Sequence, residues 1–171
     1  MAADDDTRAG DPDGRERLPL PKAVEYMLEE CRIVLPGIQV LFGFQLIAVY
    51  SERFANDLSP GEQRLHLLAI ALVAVAIGLI MTPAAYHRQT EPEYASERFI
   101  RVSTRLLLAS MPPLALAVCL DFYLVARLVD GAGPVTWMAG ALGMVFVALW
   151  FGLPWLARRR LRRRGTTPSP R

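Results

Sequence analysis

Cysteine and histidine are scarce in this chain of 171 residues, at two each. Cys31, Cys119, His66 and His87 do not recur at the short spacings that build a metal centre, so neither a metal nor another cofactor is expected. The two cysteines fall near opposite ends of their helices, at depths too different for a disulfide, and are read as reduced thiols. No Gly-x-Ser-x-Gly elbow, phosphate-cradling glycine loop or His-Glu-x-x-His motif occurs. Ser103, Thr104 and Ser110 have no base within reach on their own helix, and the chain is therefore read as no enzyme. Residues 1–20 open with Asp4, Asp5 and Asp6 and have no apolar core before Leu18. A cleavable export signal is not expected there.

What the chain has instead is apolar residues, 53% of the total, against roughly 45–50% in a soluble domain. Their placement matters more than their number. They gather into four long blocks, while charges crowd the two ends and the central loop. A soluble helical protein would show a polar face every three or four residues. The blocks predict membrane-spanning helices at about 33–50, 65–85, 102–125 and 134–157. The first holds eighteen uncharged residues, and at 1.5 Å per residue reaches roughly 27 Å, close to the thickness of a hydrocarbon core. Pro36-Gly37 in the first block and Pro112-Pro113 in the third predict bends, because proline removes a backbone donor and crowds the preceding turn.

Outside the spans, residues 1–20 are too rich in Asp, Arg, Gly and Pro to fold and read as a disordered tail. From Pro21 to Arg32, Val24, Met27, Leu28 and Cys31 share one face and Glu25, Glu29 and Arg32 the other, predicting a short interfacial helix before the first span. Ser59-Pro60-Gly61-Glu62 is suited to turn the chain and start the second span. The expected fold is all-α: a four-helix transmembrane bundle over residues 21–158, preceded by an interfacial amphipathic helix and followed by a basic tail at 159–171.

Basic residues set the orientation. With both termini cytoplasmic, sixteen of the nineteen Lys and Arg residues lie on the inner side, and only Arg53, Arg64 and Arg127 lie outside. Tyr50, Tyr86, Trp137 and Trp155 fall near span ends, where amphipathic rings settle at headgroup level. This predicts a multi-pass protein of the inner (cytoplasmic) membrane. Arg158, Arg159, Arg160, Arg162, Arg163 and Arg164 follow the last span directly. Without any recognition module, the run reads as a contact for anionic headgroups and not for nucleic acid.

The candidate polar residues divide into three groups. Glu30, Arg32, His87, Arg88 and Arg105 lie at one membrane surface, where Glu30 can pair with Arg32, Arg88 or Arg105 across helices, or each can extend to the headgroups. Gln39 sits one to two turns inside the apolar region and should seek a partner on another helix. Gln45, nearer the opposite end, carries less weight. Asp121 is the acid inside a predicted span, a candidate to bind a proton or cation, or else a residue served by Arg127 and headgroup water. Ala74-x-x-x-Gly78, Ala139-x-x-x-Gly143 and Gly140 permit close backbone approach within a bundle or between copies in a homo-oligomer.

Leu28-Glu29-Glu30-Cys31-Arg32, Gly37-Ile38-Gln39, Phe42-Gly43-Phe44 and Thr82-Pro83-Ala84-Ala85-Tyr86-His87-Arg88 resemble the pattern of an actinobacterial family of small membrane proteins, domain of unknown function 6328. The resemblance covers about residues 25–158 and implies a fold without an established activity. Two functions are carried forward: a non-enzymatic structural or accessory membrane protein, and a small oligomeric ion or proton-coupled transporter whose broken third helix would line the path.

Overall fold

The computed structural model describes residues 19–90, 96–130 and 135–164. All the regular structure in these is helical: α1 (Leu20–Ala48), α2 (Glu52–Asp57), α3 (Pro60–Thr90), α4 (Glu97–Asp130) and α5 (Val135–Val147), a π-helical segment at Ala148–Gly152, and α6 (Leu153–Arg164). Four helices are long and apolar enough to cross a membrane: Leu20–Ala48, Pro60–Gln89, Glu97–Val129 and Thr136–Ala157. The protein is a multi-pass membrane protein, and its surface agrees: Ile33, Val40, Phe44, Ile47, Met144 and Val147 are all exposed on the outside of the helices. Such a surface is stable against lipid, which satisfies apolar side chains while the helices satisfy their own backbone groups.

The core is built from seams. On α3 the buried residues are His66, Ala69, Val73, Ala76, Ile80 and Pro83, in alternating steps of three and four. On α1 they are Val24, Met27, Cys31, Ile38 and Gln45, and on α4 Phe99, Ser103, Ser110, Ala117 and Leu124, which keep the same heptad register. A repeat of this period holds one face toward a neighbour when helices cross at a shallow angle of roughly 20°. Ala69, Ala76 and Ala117 are fully buried, so the α3 and α4 backbones approach closely where lipid provides no hydrophobic drive. Helices α3 and α4 form the most extensive pairing, with α1 packed mainly on α3 and α5 on α4.

Several elements run on further than their sequence signals indicate. The amphipathic segment before the first span and the span itself are one helix of 29 residues, with Pro36 inside it. Val24, Met27 and Cys31 are buried, so the apolar face of this segment packs on protein, while Glu25, Glu29 and Arg32 are exposed. Pro112 and Pro113 likewise lie within the unbroken α4. The connection at 51–59 contains the single-turn α2, capped by Ser51, whose Oγ accepts from Phe54 N at 3.3 Å. The departure from α-helix lies at Ala148–Gly152 instead. Pro154, two residues beyond, crowds the carbonyl four positions back in a regular helix, and a π turn widens the helix at that point. Of the tail predicted at 1–20, residues 1–18 lie outside the described residues, as do 165–171, whereas α1 already begins at Leu20 and the basic segment is helical as far as Arg164.

Candidate functional site

At the end of the bundle nearest the 51–59 connection, the three seams reach polar residues at one level. Gln45 comes from the last turn of α1, His66 from the second turn of α3 and Asp121 from the last third of α4. Gln45 is 3% exposed and His66 is 7% exposed. Gln45 Nε2 donates to Asp121 Oδ2 at 2.6 Å. His66 Nε2 lies 2.9 Å from the backbone carbonyl oxygen of Gln45. A carbonyl only accepts, so Nε2 carries the hydrogen in this contact. The other ring nitrogen, Nδ1, stands 3.6 Å from Asp121 Oδ1.

That assignment determines the chemistry. With Nε2 protonated, a neutral imidazole presents a lone pair at Nδ1 toward a carboxylate oxygen, and two acceptors then face each other. At 3.6 Å the two atoms are beyond hydrogen-bond distance, and they form an ion pair only when the ring is protonated. Asp121 Oδ1 and Gln45 Oε1 are buried and otherwise have no hydrogen-bond partner. Bare acceptors in such surroundings carry a desolvation cost of about 1–3 kcal/mol each.

Gln45, His66 and Asp121 line a cavity of about 320 Å³ whose remaining wall, apart from Ser51, is apolar, including Leu41, Phe44, Phe54 and Leu124. Phe54 meets the His66 ring edge-on, with centroids 5.2 Å apart. The frame around it is fixed by local bonds. Ser59 N and Oγ both donate to Glu62 Oε2, at 2.8 and 2.7 Å, and Glu62 N bonds back to Ser59 Oγ at 3.4 Å, a reciprocal cap on α3. The other oxygen of Glu62 takes Arg127 Nε at 3.0 Å, tying α3 to α4. Gln63 Nε2 donates to the carbonyls of Phe54 and Leu58, at 3.4 and 3.1 Å, holding the connection over the cavity mouth.

The other residues singled out from sequence are placed apart from this cluster. Gln39 is exposed on α1, one position round from the buried Ile38. Arg32 pairs with Glu29 at 3.6 Å, within its own helix and largely exposed. Glu30, Arg88 and Arg105 are exposed. Among the described residues no ion pair joins Glu30 to Arg88 or Arg105, so the structure does not assemble these charges into one group. His87 is half-buried beside Phe99, with ring centroids 5.3 Å apart. Glu30 borders a second cavity, of about 570 Å³, together with Cys31, Ser110 and Trp150. Both cysteines are free. Arg159 stacks on Trp155 with its guanidinium carbon 3.5 Å from the ring centroid. The side chains of Arg158, Arg160, Arg162, Arg163 and Arg164 lie outside the description.

A family model of unknown function, DUF6328, matches residues 16–154. The chain belongs to this family. No curated protein and no solved structure matches it. Within this DUF6328 chain, sequence reasoning passed over His66 and gave Gln45 less weight than Gln39, although a signal for both existed. Gln45 continues the α1 heptad register, and His66 begins the α3 one. Among the described residues no group of three or more His, Cys, Asp and Glu side chains could hold a metal ion.

Proposed function

We propose that this chain is a non-enzymatic accessory protein of the cytoplasmic membrane, its crossing helices held in register by the buried cluster of Gln45, His66 and Asp121. The observation carrying the proposal is the meeting of three helices at that cluster, where Gln45 Nε2 donates to Asp121 Oδ2 at 2.6 Å and His66 Nε2 donates to the Gln45 carbonyl at 2.9 Å. Polar groups buried in a membrane helix bundle are costly unless paired, and here each pairing ties one helix to another.

The accessory role is favoured over transport by the packing between the two cavities. Ala69, Val73 and Ala76 are fully buried in the α3 seam. They separate the cavity holding His66 from the one bordered by Ile80 and Ser110. A through-path would require that seam to open. The sixteen-to-three distribution of basic residues supports cytoplasmic termini, and the arginines from Arg158 to Arg164 suit anionic headgroups. Ala74 and Gly78 both face outward from α3, which supports association with a second copy through a close helix contact.

Proteoliposomes loaded with a pH-sensitive dye test the choice. No cation-driven proton flux is expected from the wild-type protein. A flux that Asp121→Asn abolishes would make the protein a proton-coupled transporter instead.

A further inference from the structure

Helices α1 and α4 are joined near one end and parted near the other. Gln45 and Asp121 link them across 76 positions, whereas toward the start of both helices a cavity of about 570 Å³ lies between them. Tyr26, Glu30 and Val34 of α1 and Trp150 of the π segment border it, and its floor follows α4 from Ile100 to Leu114. The hydroxyls on that floor are turned back into their own helix. Thr104 Oγ1 donates to the Ile100 carbonyl at 2.8 Å, and Ser110 Oγ to the Leu107 carbonyl at 2.7 Å. The deeper part of the groove therefore offers hydrocarbon and an indole.

Its length matches one leaflet. The same offset of 76 positions sets Glu30 level with Leu106, next to Arg105, close to where the apolar runs of the first and third spans begin. From Arg105 to Leu114 the groove runs about 14 Å along the helix, against about 15 Å for half of a hydrocarbon core. A groove that starts at the membrane surface and stops near the midplane suits an acyl chain. A partner helix would need a face along the whole span.

Charge at the mouth selects the headgroup. Glu30 and Arg105 are both exposed at that level, and among the described residues no ion pair joins them. Arg101, one turn before Arg105, is exposed as well, and the exposed Lys22 and Glu97 nearer the helix ends are of opposite sign and leave the balance unchanged. A carboxylate on one rim and guanidinium groups on the other complement a headgroup that bears both an ammonium and a phosphate.

We infer that this groove holds a diacyl phospholipid with a primary-amine headgroup, its ammonium donating to Glu30, its phosphate met by Arg105 and Arg101, and one acyl chain lying along α4 against Trp150. Lipid already surrounds the bundle, so the chain gains packing and no transfer from water. Selectivity therefore comes from the headgroup. The site is separate from the arginines after the last span, and it does not depend on which side of the membrane the termini occupy.

The test is native mass spectrometry of the full chain released from nanodiscs that hold equal amounts of phosphatidylethanolamine, phosphatidylcholine and phosphatidylglycerol with identical acyl chains. Choline keeps the charge without N–H donors, and glycerol lacks the cation. Retention of phosphatidylethanolamine is expected to exceed that of either other lipid by at least about fivefold, and Glu30→Gln and Arg105→Gln should each reduce that preference. Equal retention of the ethanolamine and choline lipids, or a preference for phosphatidylglycerol, overturns the inference without relying on any variant. Trp150 reports the chain: with Trp137 and Trp155 changed to phenylalanine, phosphatidylethanolamine brominated along its acyl chains should quench the remaining indole more than brominated phosphatidylcholine does. Equal quenching would remove the acyl chain from the groove.

Discussion

Gln45 Nε2 and Asp121 Oδ2, 76 residues apart in sequence, meet at 2.6 Å and join the end of α1 to α4. Few other contacts link those two helices, so this bond fixes much of their mutual rotation. Removing one partner leaves the other buried and unpaired, whereas removing both leaves an apolar contact. Gln45→Leu is expected to lower stability by about 1–3 kcal/mol. The double variant Gln45→Leu/Asp121→Leu is expected to lose less than the sum of the single changes, with a coupling of about 0.6–1.7 kcal/mol. Reversible unfolding in mixed micelles measures the cycle, and strict additivity would contradict the bond.

The cap on α3 makes a second case. Ser59 satisfies and is satisfied by Glu62, which also holds Arg127. Ser59→Ala is expected to cost about 1 kcal/mol. Glu62→Ala should cost more than Ser59→Ala, since it also releases Arg127 from a position where Glu62 is only 12% exposed. Thermal melts in detergent that rank the two variants the other way would contradict the arrangement.

Opposite faces of α3 should respond differently to the same added bulk. Ala76 is fully buried in the seam, and Ala74 is exposed. Ala76→Leu is expected to destabilise the fold by about 1–3 kcal/mol through overpacking. Ala74→Leu should leave the melting temperature unchanged and lower the oligomeric mass seen by native mass spectrometry. An unchanged mass would remove the Ala74–Gly78 face from any contact between copies.

Orientation can be read with a single reporter. In a background where Cys31 and Cys119 are replaced by alanine, Glu52→Cys should react with a membrane-impermeant maleimide added to intact cells. Reaction only after the cells are broken would reverse the assigned topology.

Much of this architecture was legible because spans and caps are local. Long uncharged runs located the four crossing helices, and Ser59-Pro60-Gly61-Glu62 marked the beginning of α3. The polar cluster was less accessible. Asp121 stood out as an acid in an apolar run, but its partners lie on other helices and are reached only once the helices have a relative rotation. Gln39 drew more attention than Gln45 from depth alone. The heptad register, which passes through Ile38 to Gln45, puts Gln45 in the seam and turns Gln39 outward. The π turn was not anticipated: bends were expected at Pro36-Gly37 and Pro112-Pro113, where α-helix continues, and the departure lies beside Pro154 instead.

The one-sided support of the last crossing helix bears on how the chain assembles. The portion of the Thr136–Ala157 span with the highest hydropathy has no buried residue, and α5 rests chiefly on α4, where a side chain at Gly143 would touch Cys119 Sγ at 3.7 Å. Local opening requires the least energy where the fewest contacts must be given up. The C-terminal crossing helix is therefore expected to come away from the bundle more easily than α3 and α4 come apart from each other, since those two share the most extensive pairing.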